Sequence, residues 1–178
     1  MPWIQIASHK TYNLPEETPN LPFVRLADVE QNPKMIKVHR YYEDDIDFYN
    51  KYRSEWSFFA PVQYETDESG KVPGEMWLDG SGEYSPSITS QVYQLRYEFL
   101  TEGLISDLIK RYGAWYDGGE FKEIEHPDLD LLIVHEREAA VEIFAGKGKG
   151  VIYLRYYGFA EQEKIIENIA QKIFLPSW

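Results

Sequence analysis

The sequence has no cysteine. That excludes disulfides, thiolate metal sites, iron–sulfur clusters and a thiol nucleophile. Long apolar runs are missing too: none approaches the ~18 residues that a membrane span needs. The opening stretch MPWIQIASHKTYNLPEETPN has no basic start followed by an apolar run, and so reads as lacking a secretory leader. Positive charge is scarce, with 18 Lys and Arg against 30 Asp and Glu, a formal balance of −12. Such a chain repels duplex nucleic acid at long range, because that binding rests on neutralising phosphates. There is no internal repeat and no low-complexity tract. These absences lead us to expect one domain over 1–178, in a reducing cytoplasm, with no membrane partner and no cofactor.

What is present is a core-forming, tyrosine-rich chain. A domain of this length buries roughly 70% of its unfolded surface, enough for a core without staples. Fourteen tyrosines suit either that core or an interface, where a large ring with a polar tip is useful. Residues 13–33 carry four prolines and read as an irregular surface segment, with at most a short strand at Phe23–Leu26. Met35, Ile36 and Val38 predict a strand ending near Tyr42. Asp44 or Asp45 then caps a helix whose stripe is Ile46, Tyr49, Tyr52 and Trp56. SFFAPVQYET reads as a strand, DESGKVPG as a turn and EMWLD as the returning strand.

Ser85-Pro86 has the form of a helix start. Ile88, Val92, Leu95 and Phe99 follow at helical spacing, then Leu104, Ile105, Leu108, Ile109 and Tyr112, with Gly113 as a stop. The expectation is one long central helix, kinked near Gly103. Three β-type runs follow at Leu131–Val134, Ala139–Ala145 and Val151–Tyr157, and Ile165, Ile166, Ile169, Ala170 and Ile173 form the apolar face of a last helix. The expected fold is therefore α+β: a mixed domain with a central long helix, a C-terminal three-stranded antiparallel meander and a C-terminal helix.

The stretch AGKGKGVIYLRYYG, from Ala145 to Gly158, raises the question of a phosphate loop. Such a loop leads from a strand into a helix, whose N-terminus supplies aligned N–H groups. Here no Ser or Thr follows either lysine, and the residues after the loop are β-formers. It reads as a hairpin turn, with Ile152, Leu154 and Tyr156 on one face and Val151, Tyr153 and Arg155 on the other. From Ile143 to Ala160 the only charges are Lys147, Lys149 and Arg155, a candidate anion-binding tip. Trp77 and Tyr84, set among glycines and acids, are candidates for stacking on a small ligand or carbohydrate.

Residues 117–130 hold six acids and one lysine. His126, Asp128 and Asp130 lie close enough to be considered as metal ligands, although neither H-E-x-x-H nor an EF-hand loop is present. HPDLDLLIV followed by EREAAVEIF resembles the core of the PD-(D/E)xK nuclease superfamily. The resemblance implies a metal-dependent phosphodiester hydrolase in which Asp128 or Asp130 and Glu142 hold a metal that activates water. The sequence departs from that pattern at Phe144, where the family has lysine, and Lys147 stands three residues later. No G-x-S-x-G elbow occurs. With no complete catalytic set, acids in blocks at 43–47 and 117–130 and many tyrosines, the leading expectation is a non-enzymatic, protein-binding chain. Its composition is similar to that of small acidic inhibitor or immunity proteins, whose partner would be basic.

Overall fold

The computed structural model describes residues 11–13, 23–30, 37–44, 59–66, 86–95, 97–112, 120–136, 140–158 and 160–173. Among the described residues eight strands form one antiparallel sheet. They are β1 (Thr11–Asn13), β2 (Lys37–Asp44), β3 (Phe59–Thr66), β4 (Ser87–Gln94), β5 (Glu120–Glu123), β6 (Leu131–Glu136), β7 (Ala140–Lys147) and β8 (Gly150–Tyr157). The order across the sheet is β1-β2-β3-β4-β8-β7-β6-β5. Strands β1 to β4 run inward from one edge and β5 to β8 inward from the other. The two series meet at a β4–β8 seam that pairs Ser87 with Tyr157 and Gln94 with Gly150. Among the described residues three α-helices accompany the sheet: α1 (Leu26–Val29), α2 (Thr101–Tyr112) and α3 (Gln162–Lys172).

Two apolar clusters lie on opposite faces of the sheet, as the alternation of side chains along a strand requires. One face carries Ile88, Val92, Leu132, Val134, Ile143, Ile152, Leu154 and Tyr156, packed with α1 and α3. The other carries Tyr93, Phe144, Val151 and Tyr153, covered by Leu104, Ile105 and Leu108 of α2. The split of β8 into Ile152, Leu154 and Tyr156 against Val151 and Tyr153 is the one its sequence predicts. The stripe of α3 is also as expected, with Ile165, Ile166, Ile169, Ala170 and Ile173 all buried. Lys172 joins α3 to α1 by donating to the Phe23 carbonyl at 2.8 Å and pairing with Asp28 at 2.7 Å. Glu65 of β3 is buried and accepts the Leu26 N–H at the start of α1.

Mixed α+β architecture is as expected, but its parts need correction. The long central helix is not formed: Ser87–Gln94 is a strand, and α2 begins only at Thr101. The physical reason is that Ile88 and Val92 are four apart, an even spacing that suits a two-residue period as well as a helical one. Thr89, Val92 and Tyr93 favour the strand, and a central strand between β3 and β8 buries both of its faces. The three-stranded meander is part of a larger structure, because β5 adds a fourth strand and β8 continues into β4. The short strand expected at Phe23–Leu26 is replaced by the start of α1, where the Asp28 carboxylate accepts the Arg25 N–H at 2.7 Å. Asp44, one of the two caps expected for the next helix, is the last residue of β2, and the rest of that helix, 45–56, lies outside the described residues, as does the returning strand EMWLD.

Candidate functional site

The glycine hairpin is a clamped turn. Gly148 has φ 55°, a left-handed conformation that costs glycine little. Its N–H donates to Asp130 Oδ2 at 2.7 Å, and Lys147 Nζ donates to Asp130 Oδ1 at 3.1 Å. Thr101 Oγ1 donates to the Gly148 carbonyl at 2.8 Å, and the Leu95 N–H to the Lys149 carbonyl at 2.7 Å. The Asp130 carboxyl is held below its usual range, chiefly by the Gly148 N–H. Partial burial opposes that shift, and the hydrogen bond and charge of Lys147 add to it. The turn therefore uses two groups that the sequence offered for other chemistry, Asp130 and Lys147.

The acids of the nuclease-like pattern do not converge. Asp130 stands just before β6, while Glu142 pairs with His135 near the far end of the same ladder. Five residues of strand separate the two positions, about 17 Å at ~3.4 Å per residue. Lys147 and Lys149 lie at the hairpin tip, whereas Arg155 lies toward the opposite end of β8, across from Glu142 and Thr89. His126 accepts the Asp128 N–H on Nδ1 at 3.1 Å, so its proton is on Nε2, 3.0 Å from Glu167. Both ring nitrogens are thus engaged, and no cluster suited to a metal ion occurs among the described residues. Trp77 and Tyr84 lie outside the described residues.

Glu142 is instead the centre of a buried polar network that the sequence does not foretell. Tyr153 donates to Glu142 Oε2 at 2.7 Å, and His135 Nδ1 lies 3.4 Å from Oε1. Glu142 and His135 are each 1% exposed. The Phe121 ring lies over the imidazole at 4.1 Å and 12° from parallel, and Phe144 stacks on Tyr153. Three adjacent strands supply the three polar groups at neighbouring positions of one face. Buried under these rings, neither Glu142 nor His135 presents a face to solvent.

The exposed polar groups concentrate elsewhere, on the margin made by β5, the turn after it and the two ends of β6. Glu120, Glu123, Glu125, Asp128 and Glu136 are all exposed. Among the described residues no salt bridge reaches any of them. Glu120 and Glu136 are direct partners in the β5–β6 ladder. Like charges placed opposite each other in this way destabilise a sheet. Phe121, 40% exposed, stands in the same margin. The acidic block was visible in the sequence, but its order as an edge strand was not, because Glu-Phe-Lys-Glu has no β-branched residue to signal one. Comparison with protein-family models, curated proteins and solved structures finds no match to this chain.

Proposed function

We propose that this chain acts by docking a protein partner of basic surface on the acidic margin of β5 and β6. The observation that carries the reading is Glu120 facing Glu136 across the ladder with no salt bridge to either among the described residues. The sheet bears a repulsion that one substitution would remove, and a cationic partner relieves it. Glu123, Glu125 and Asp128 extend the same potential along one border. Overall charge of −12 steers a basic partner from a distance, and the local cluster sets where it lands.

The test is capture from lysate on the immobilised full chain, with a Glu120→Lys/Glu123→Lys variant beside it. A Glu98→Lys/Glu102→Lys variant makes the same charge change at exposed positions before and at the start of α2. We expect a basic protein retained at low salt, released as salt screens charges beyond ~8–10 Å, lost with the first variant and kept with the second. Equal capture by both variants would mean that binding follows net charge alone and would remove the acidic margin as the site.

A further inference from the structure

We propose that the outer edge of β5 receives one extended basic segment of that partner as an added strand. The inference rests on the acidic-margin reading and gives it a mode of binding. Backbone geometry comes first. In an antiparallel ladder, residues alternate between pointing their N–H and C=O at the neighbouring strand and pointing them away. Ile124 donates its N–H to the Leu132 carbonyl at 2.9 Å, so Ile124, Lys122 and Glu120 face β6. Phe121 and Glu123 therefore direct theirs outward. Both residues are exposed, and among the described residues β5 pairs with β6 alone. The edge thus offers two donors and two acceptors in strand spacing, the template on which strand addition works.

Side chains then choose the occupant. Phe121 and Glu123 lie on one face, Glu120 and Lys122 on the other. A strand laid along this edge would set an aliphatic or aromatic residue against the exposed Phe121 ring, and lysine or arginine against Glu123 and Glu120. Glu125, just beyond the strand, and Glu136, beside Glu120, favour further cations. An acidic segment would find one cation, the exposed Lys122, against the carboxylates of Glu120, Glu123, Glu125 and Glu136, so the edge selects an extended basic segment with an apolar residue between its cations.

The experiment uses a short fluorescein-labelled peptide with lysines on both sides of a phenylalanine, and the same peptide N-methylated on alternate backbone amides. Binding to the full chain is followed by anisotropy, with hydrogen exchange read at single amides. The unmodified peptide should slow exchange at Phe121 and Glu123, whose N–H groups it would cover, and leave Ile124, already bonded, unchanged. The methylated peptide should bind at least tenfold more weakly. Glu123→Gln removes one charge and should weaken binding by roughly threefold. Glu123→Pro also removes the outward N–H, at an edge position where proline is tolerated, and should cost roughly a further tenfold.

Circular dichroism confirms that the proline variant keeps its sheet. Equal binding by Glu123→Pro and Glu123→Gln, with no protection at Phe121 and Glu123, would overturn strand addition while leaving acidic docking in place. No binding of either peptide, at low salt, to a chain that still captures its partner would also overturn it. Loss of the partner's own dependence on Glu120 and Glu123 would instead overturn the reading beneath.

Discussion

Asp130 ties the β7–β8 turn to the start of β6 through two separate bonds, one to the Gly148 N–H and one to Lys147. A carboxyl held below its unfolded value contributes stability above that value and loses it as the pH falls through the folded one. For Asp130 the loss therefore begins as the pH drops below 3.8 and is complete once it passes the lowered value. Because the side chain is 46% exposed, its pairing with Lys147 is partly screened. We expect Asp130→Ala to cost about 1 kcal/mol at neutral pH, with Asp130→Asn between it and the parent, since an amide oxygen can still accept from Gly148. Urea unfolding across the acid range should show the gap between parent and Asp130→Ala closing. A gap that stays constant into strong acid would show that the bond to Gly148 does not depend on the carboxylate.

Helix α2 and the β7–β8 hairpin come into contact where Gly146 leaves room for Thr101. A Cβ placed on Gly146 would lie 2.6 Å from Thr101 Cγ2 and 3.1 Å from Ile105 Cδ1. Gly146→Ala should therefore destabilise by about 1–3 kcal/mol, as overpacking does. Thr101→Ser removes Cγ2 but keeps the hydroxyl that donates to Gly148. The double variant should recover most of the loss, and thermal unfolding of the four proteins would read the coupling. If Thr101→Ser gives no recovery, the helix and hairpin are held apart by something other than this contact. Ile105, fully buried on the sheet-facing side of α2, should cost about 2–4 kcal/mol as Ile105→Ala.

The same contact marks what the chain's letters disclose. The β7–β8 hairpin is readable because its glycines break two alternating apolar runs, and α3 because five apolar residues keep one helical stripe. The strand β4 is not, because apolar residues four apart satisfy both periods and only the flanking strands decide. The acidic block at 117–130 stands out in the sequence, but the opposition of Glu120 to Glu136 depends on register, which local composition does not state. Glu142 is conspicuous as an acid, while its burial with Tyr153 and His135 follows from pairing among three strands.

At the scale of the whole molecule, charge and topology pull in different directions. A balance of −12 repels itself, and screening should relieve part of the strain. The melting midpoint should rise with added sodium chloride at low ionic strength. Glu120→Lys, which replaces a facing like pair by an opposite one, should stabilise the chain by roughly 0.2–1 kcal/mol and flatten that salt response. Scanning calorimetry of parent and variant over a salt series measures both. A variant less stable than the parent would show that Glu120 has a structural role the ladder does not reveal.

No helix among the described residues is long and apolar enough to cross a membrane. Cohesion comes from the seam, where Ser87–Gln94 meets Gly150–Tyr157. Helix α2 belongs by chain order to the first series of strands, yet it lies over Phe144, Val151 and Tyr153 of the second. On the ribosome, therefore, the first two-thirds of the chain emerges with a bare strand at its open border and a greasy helix that has only Tyr93 and Leu95 of its own cluster to cover. Until residues 140–157 follow, that nascent piece is a substrate for chaperones, and a stop codon placed after Tyr112 should yield inclusion bodies, not a smaller working protein.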